Sequence, residues 1–492
     1  MKNVLERIIV RDDNQFEIKY TYPLQPEKET TKYFVEMFLF LPQGLNINNK
    51  TYGKKKFYRD STNYIRFKTP AFSLPEIIAG KANPLYKTTI ALKELIEAPE
   101  TKEHRENYDY HLKMFSSILK SALRDEEKRL ENIIEPEELN TAIKRMVVTL
   151  SQILTLFREL RNVNGFFTLE SRWKTLFALS DEYNSIIAEF HLFKLLDFLG
   201  NVPEAERHSD VCADVRELIN LEVSHRSSAG YPSIVRDRSD NETFLYRART
   251  LKKIMGSILF LHTQNYSDGR IAKQFMLSLA AGLAMSLAMI FLLVGQKVFG
   301  NIALWLVIST VIGYIIRDRT KESSRALFSN WIEKYFFDYK TIIMDNLNRK
   351  IGECRSSISF LEPSAVPQDI VKIRNRDILA ELAGSGLDEE IIYSRKQINL
   401  NNAECSKIWT DFRVEGINDI VRVNLDEIMS KMDKPERELY FLDGEKCAKT
   451  DSISVYHLNM ILRYGMDKES ETRKIRLILN SNGIRRIVET II

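Results

Sequence analysis

Two stretches decide the fold: FMLSLAAGLAMSLAMIFLLV at residues 275–294 and VFGNIALWLVISTVIGYII at residues 298–316. Both are apolar, and neither contains Asp, Glu, Lys or Arg. The hydrocarbon core of a bilayer is ~30 Å thick, and roughly 20 helical residues cross it. We therefore expect two transmembrane helices. A buried helical hairpin of a soluble protein is the alternative, which is disfavoured because core helices seldom run so long without a charge.

Only Gly295, Gln296 and Lys297 separate the two stretches, so the predicted helices run antiparallel and both chain ends lie on one side. Basic residues flank the pair, and Lys and Arg prefer the cytoplasmic side of a membrane. The sequence thus predicts a two-span protein with its amino and carboxyl termini in the cytoplasm. The residues that set this topology are Arg270, Lys273, Arg317, Arg319 and Lys321.

Small residues recur at every fourth position of both predicted spans. Helices in lipid associate through such faces, because apolar burial between helices gains little there. One stripe is enough to pack the hairpin on itself, and a second could bind another copy of the chain; a hairpin that only anchors the chain is the alternative. The predicted packing residues are Ser278, Gly282, Ser286, Ser309 and Gly313, and a second stripe consists of Ala280, Ala284 and Ala288.

Charge and cysteine content narrow the function classes. The absence of charge within both stretches argues against a proton relay, a voltage sensor or a selective transporter. The net charge of +4 is small and partly flanks the predicted membrane, so we do not expect nucleic-acid binding. The four cysteines are far apart, form no CxxC pair, and stay reduced on the predicted cytosolic side.

The part before the first span predicts a mainly helical region that begins with a small β segment. We expect a β-rich segment over residues 1–100 and a cytosolic helical bundle over 101–270, in which Pro136 opens one helix at a first-turn position. Three runs rich in β-branched and aromatic residues predict the strands. They are QFEIKYTY at residues 15–22, KYFVEMFLFL at 32–41 and NYIRFK at 63–68.

The part after the second span predicts a juxtamembrane helix over residues 317–360 and a small α+β domain over 368–492. Apolar and aromatic residues recur at helical spacing in the former, whereas the latter alternates with period two. Asp443-Gly444 and Asn482-Gly483 predict hairpin turns. The predicted fold class is a membrane α+β protein in which a two-helix transmembrane hairpin separates two cytosolic parts.

No P-loop, GxGxxG, HExxH, GxSxG or kinase-like motif is present. We therefore expect no catalytic residue, no cofactor and no metal site. An enzyme that lacks familiar motifs is one of three hypotheses for the function.

The layout of two cytosolic parts split by a tight two-span hairpin resembles the transmembrane effectors of bacterial antiviral systems, including those associated with retron reverse transcriptases. The resemblance implies a location in the bacterial inner membrane and a homo-oligomer. It also implies a protein or ribonucleoprotein regulator that keeps the chain silent. Once triggered, such an effector disrupts membrane integrity and the infected cell dies, which is abortive infection. A membrane-anchored scaffold or receptor that binds a protein partner is the alternative.

Overall fold

The structure is a computed structural model of the chain. It describes residues 4–80, 83–202, 205–235, 237, 241–299, 307–308, 310–323, 336–346, 348–375, 389–407, 412, 414–444, 446–467 and 469–491. The chain forms two compact units. The first, here called the sheet unit, consists of Met1–Ile65, Leu261–Ile408 and Gly416–Ile492. The second, the helical unit, consists of Arg66–Phe260 and Trp409–Glu415.

An eight-stranded sheet with antiparallel pairing forms the centre of the sheet unit, in the order β14-β13-β12-β3-β8-β7-β6-β5. A four-stranded sheet has the order β1-β2-β9-β4, and β10 pairs with β11 alone. The strands are β1 (Leu5–Asp12), β2 (Gln15–Pro23), β3 (Thr30–Pro42), β4 (Ser61–Phe67), β5 (His262–Ser267), β6 (Tyr339–Met344), β7 (Lys350–Leu361), β8 (Glu389–Asn401), β9 (Gly416–Asn424), β10 (Glu436–Asp443), β11 (Lys446–Ile453), β12 (Tyr456–Met466), β13 (Glu469–Asn480) and β14 (Gly483–Ile491).

Strand β3 lies inside the large sheet, between β12 and β8. Its run of apolar residues suits a strand that is covered on both faces, and Phe38, Leu39 and Phe40 are all buried. The three amino-terminal strands and the hairpin turns at Asp443-Gly444 and Asn482-Gly483 are confirmed. The expected fold class is wrong, because amino-terminal and carboxyl-terminal strands complete the same two sheets. Period two identifies a strand but does not identify its partner.

The helical unit contains six of the helices that the structure describes, from α2 to α7. Pro136 is the first residue of α4, as predicted, and the apolar face of that helix is buried. The α-helices whose bounds the structure describes are α1 (Lys54–Asp60), α2 (Pro84–Glu97), α3 (Lys102–Glu131), α4 (Pro136–Glu159), α5 (Ser171–Asn201), α6 (Ser209–Ser228), α7 (Glu242–Gly256), α8 (Arg270–Phe299), α9 (Gln368–Arg374), α10 (Asn402–Ser406) and α11 (Asp426–Met429).

The prediction of a two-span hairpin is wrong, and helix α8 shows why. Within the described residues one stretch, Gln274–Lys297, is a helix long and apolar enough to cross a membrane. The expected connector at Gly295–Lys297 is helical and α8 continues to Phe299. A single glycine costs a helix only about 1 kcal/mol, so this position need not end one. Of the second predicted span, residues 300–306 and 309 lie outside the described residues, and the helical residues 310–323, here called segment 310–323, follow.

The predicted localisation is also wrong, because it depended on two spans. Placing both termini in the cytoplasm of a two-span inner-membrane protein depended on two antiparallel crossings, and the structure supports one candidate span. The predicted juxtamembrane helix over residues 317–360 also differs from the structure. Residues 317–323 are helical, residues 324–335 lie outside the described residues, and the strands β6 and β7 occupy most of the remainder. Tyr339, Ile342 and Ile343 are as typical of a strand as of a helix face, and here the pairing with β5 and β7 decides.

Candidate functional site

The surface of α8 is its most informative feature. Only 11% of its most apolar stretch is buried. Large apolar side chains therefore cover most of its circumference, with Leu283 exposed to 49%, Ile290 to 57% and Leu293 to 56%. A soluble helix carries one apolar stripe against a core and polar residues elsewhere. An all-round apolar surface of this length is typical of a helix that lies in lipid or against a protein partner.

One face of α8 is covered, and it is the alanine stripe. Ala280 and Ala284 are fully buried, and Gly313 of segment 310–323 lies against the next member of the stripe. A Cβ built on Gly313 would be 3.6 Å from the Ala288 carbonyl oxygen. The α8 helix and segment 310–323 therefore approach closely where both carry small residues, which is the geometry that small-xxx-small faces allow.

The predicted packing residues lie in different environments. Gly313 belongs to the contact just described, whereas Ser309 lies outside the described residues. Ser278 and Ser286 are exposed, and their hydroxyls donate to backbone carbonyls within α8 itself, at 2.9 and 3.0 Å. A Cβ at Gly282 would meet no atom within 4 Å. The stripe formed by Ser278, Gly282 and Ser286 is therefore open on the surface of one chain.

The predicted topology-setting residues flank α8 and segment 310–323. Arg270 is exposed at the first turn of α8, and the Lys273 side chain lies outside the described residues. The Arg317 guanidinium stacks over the Tyr314 ring, 4.1 Å from its centroid. Arg319 is 3.7 Å from Glu322, and Lys321 is half-buried. The charges thus stand beyond the apolar part of each helix.

The chain between β5 and β6, residues 268–338, contains α8 and is here called the excursion. Its two ends meet at the edge of the large sheet. Ser267, the last residue of β5, pairs with Tyr339, the first residue of β6. The next residue continues the ladder, because the Asp268 amide donates to the Asp338 carbonyl at 3.2 Å. Gly269 follows with φ of +63°, and a Cβ there would lie 2.5 Å from Phe336. Only glycine fits this close approach without strain.

Asp338 lies at the base of the excursion, where its two ends meet, and its carboxylate contacts other elements of the sheet unit. Its carboxylate accepts hydrogen bonds from the Lys54 ammonium at 3.2 Å and the Tyr58 hydroxyl at 3.1 Å, both on α1. It also accepts from the backbone amide of Ile358 on β7 at 2.8 Å. Charge-assisted bonds of this kind are the stronger class. The base of the excursion is therefore tied to two neighbouring elements.

The helical unit contains a polar cluster that the sequence did not indicate. Asp181 on α5 is buried, and its carboxylate accepts hydrogen bonds from Arg158 at 3.1 Å, His225 at 2.9 Å and Tyr231 at 2.9 Å. Arg158 also makes a bidentate pair with Glu222, at 3.0 and 2.6 Å. The charges of the cluster pair with one another, so it joins α4, α5 and α6 rather than presenting a free acid or base.

A scan of the part of the chain that the structure describes finds no group of three His, Cys, Asp or Glu side chains placed to hold a metal ion.

The polar cluster comes from α4, α5, α6 and the residues after α6. Such long-range contacts leave no local motif. Only the unusual number of polar residues within Ser180–His191 of an otherwise apolar helix hints at it.

Comparisons of the chain with protein-family models, with curated proteins and with solved structures find no match.

Proposed function

We propose that this chain is an effector of a bacterial antiviral defence system that acts on a lipid bilayer through α8. The observation that carries the membrane part is the helix itself, whose apolar stretch has 24 residues and whose most apolar part is only 11% buried. Such a helix is about 36 Å long, compared with a hydrocarbon core of ~30 Å. The antiviral context comes from the resemblance in layout stated above.

Two features support an effector that assembles and disrupts the bilayer. The exposed stripe at Ser278, Gly282 and Ser286 has the spacing through which helices of neighbouring copies associate in lipid. The base of the excursion is tied to the sheet unit through Asp338, so a rearrangement of that unit, set off by a protein or ribonucleoprotein regulator, would reach α8 directly. A switch of this type requires two arrangements of one element.

The experiment uses the purified full chain with liposomes that contain a self-quenched dye. Flotation measures binding, and dye release measures disruption. The proposal predicts flotation with the liposomes together with dye release that rises more steeply than the protein concentration, since assembly is required. Flotation without release at any concentration would contradict an effector of this type.

A second candidate function is a membrane-anchored scaffold, and the β10–β11 hairpin favours it. Leu439, Tyr440, Phe441 and Leu442 are exposed to between 50% and 76% on this two-stranded ribbon. A two-stranded hairpin is marginally stable alone in water, so one with apolar residues on both faces suits a partner-binding element. In the liposome experiment the scaffold corresponds to flotation without release. Deletion of residues 437–452 would then abolish partner capture and leave flotation unchanged.

A further inference from the structure

A cavity of about 430 Å³ lies between the four-stranded and the eight-stranded sheet of the sheet unit. Protein interiors are close-packed, and voids larger than a water molecule are few. Small-molecule sites typically have 300–1,000 Å³, so this space has the size of a ligand pocket. Its rim reaches the exposed edge strand β5, where Thr263 and Asn265 line it. A ligand can therefore enter along this edge.

The wall formed by the four-stranded sheet is mostly aliphatic. Ile18 of β2 and Val421 of β9 are cross-strand partners and so share one face, and Val423 and Ile65 also line the cavity. Tyr20 of β2, together with Asn63 and Ser61 of the edge strand β4, adds hydrogen-bonding groups to this wall. This wall suits the apolar face of a ring.

On the opposite wall, formed by the large sheet, uncharged polar residues of β5, β6, β7 and β8 lie beside the apolar Val35, Met37 and Ile358. Asn265 and Thr341 are cross-strand partners, and the Thr341 hydroxyl donates to the Asn265 side-chain oxygen at 2.6 Å, which leaves the Asn265 amide hydrogens for a ligand. Ser356 and Ser394 follow on β7 and β8. Hydroxyl and amide groups in a cavity of this kind fix the orientation of a ligand through hydrogen bonds.

Among the described residues that line the cavity, Lys396 is the one charged side chain, and it is paired with Asp419. Its ammonium donates to the carboxylate of Asp419, which also accepts from the Tyr22 hydroxyl at 3.1 Å. Burial lowers the pKa of Lys396, but the charge of Asp419 outweighs that effect and the pKa lies above its usual value. The Lys396 ammonium is thus bound to a carboxylate, so the cavity offers a ligand no uncompensated charge.

We propose that this cavity binds a neutral small molecule that has one apolar ring face and several hydroxyl or amide groups, the chemistry shared by nucleosides and sugars. The apolar face lies on the Ile18 and Val421 side, and the hydroxyl groups meet Asn265, Thr341 and Ser394. An acyl chain would leave the hydroxyl and amide groups of the large-sheet wall without hydrogen-bond partners, which disfavours its binding. The assignment stands independently of the membrane function proposed above.

Isothermal titration of the full chain in detergent tests the assignment with adenosine, uridine and methyl β-glucoside, each at millimolar concentrations. Nucleoside 5′-monophosphates and dodecanoate serve as charged and acyl comparisons. Binding of a nucleoside or of the glucoside, at least tenfold tighter than either comparison, is the expected result and identifies which source supplies the ligand. Preferential binding of dodecanoate or a monophosphate, or no binding of any neutral compound, would overturn it.

A matched pair of variants on β8 locates the site. Ser394→Leu fills the cavity, whereas Gln397→Leu introduces the same side chain at an exposed position that does not line it. The assignment requires at least a tenfold loss of affinity in the first variant and unchanged affinity in the second, with equal thermal stability of the two. Equal affinities in both variants would place binding elsewhere and overturn the inference.

Discussion

Ser267 of the edge strand β5 and Tyr339 of its neighbour β6 are paired residues, and the chain between them leaves the large sheet and returns to it at this one pair. Helix α8 lies within that excursion. The apolar helix is therefore an insertion between neighbouring antiparallel strands, not an element of either core. An insertion at a sheet edge leaves the remaining strand pairing unchanged, which explains how a folded sheet unit carries a helix of such different chemistry.

Substitutions to arginine on α8 test whether the helix lies in lipid or in water. An arginine at the centre of a membrane helix costs about 2.5–3.5 kcal/mol of insertion free energy, whereas an exposed surface substitution in water usually costs less than 0.5 kcal/mol. Leu283→Arg/Ile290→Arg should therefore reduce liposome flotation at least tenfold. Leu221→Arg on α6 is the control, since Leu221 is exposed to 56% and Ile290 to 57%. Equal flotation of the two variants would rule out insertion of α8.

The two glycines of the predicted packing set should behave differently. Gly313→Leu places a side chain against the Ala288 carbonyl and should destabilise the contact between α8 and segment 310–323 by about 1–3 kcal/mol, as overpacking does. Gly282→Leu points into open space and should leave the unfolding midpoint unchanged. If copies assemble through the exposed stripe, Gly282→Leu reduces dye release at unchanged flotation. Unchanged release would show that this stripe is not an assembly face.

Gly269→Ala tests the base of the excursion. Its positive φ alone costs an L-residue about 1–2 kcal/mol, and the contact with Phe336 adds steric repulsion. Gly80→Ala is a matched control, because Gly80 has φ of +80° and nothing within 4 Å. Urea denaturation should show a greater loss for Gly269→Ala, and Phe336→Ala should recover the excess. Equal losses at the two positions would mean that the close approach to Phe336 has no energetic consequence.

The polar cluster predicts a stability loss in acid. Burial alone would raise the pKa of Asp181, but the hydrogen bond from His225 and the charge of Arg158 outweigh it, so the pKa lies below its usual value. A lowered carboxyl pKa stabilises the fold above about pH 4, and the contribution is lost as the pH falls through the folded pKa. Removing one partner of a buried pair costs about 3–5 kcal/mol, which we expect for Asp181→Asn at pH 7.

The control for that prediction is Asp125→Asn, which removes an exposed partner of Arg124 and should cost less than about 1 kcal/mol. Urea denaturation from pH 3 to pH 7 compares the two variants with the parent. A parent whose stability follows the same acid profile as Asp181→Asn would contradict the role given to Asp181.

Lys120 on α3 should make stability rise with pH in the alkaline range. Burial, together with the charges of Lys252, Arg66 and Arg124, lowers its pKa to about 7. Between that value and the ordinary lysine pKa of about 10.4, the unfolded chain binds a proton that the folded chain does not, so raising the pH favours folding. Lys120→Met should remove this slope between pH 7 and pH 10. Parallel profiles for variant and parent would show that Lys120 stays charged.

The sequence was sufficient for elements whose signals are local. The strand at residues 15–22, the helix that begins at Pro136 and the turn at Asp443-Gly444 each depend on residues within a few positions of one another. The prediction failed where distant residues decide. Nothing near residues 32–41 indicates that this strand pairs with both β12 and β8, and nothing in residues 339–344 indicates pairing with β5.

The site follows the same division. The apolar character of α8 was evident from residues 275–294 alone, whereas the end predicted at Gly295 was wrong because one glycine is compatible with a continuing helix. Which stripe faces segment 310–323 could not be read from spacing, since Ser278 and Ala280 begin equally regular patterns. The cavity between the two sheets was missed altogether, because its walls come from strands far apart in the sequence.

The most direct test of the central claim is the depth of α8 in lipid. An environment-sensitive fluorophore is attached to a cysteine at Leu287, in a chain whose Cys212 and Cys447 are serine, and lipids with quenchers at defined acyl depths report its position. A label on Val148→Cys of α4, which is exposed to 56%, is the control. We expect the label at position 287 to show blue-shifted emission that the deep quencher reduces most strongly. The label at position 148 should show neither a blue shift nor quenching. Emission typical of water at both positions would contradict it.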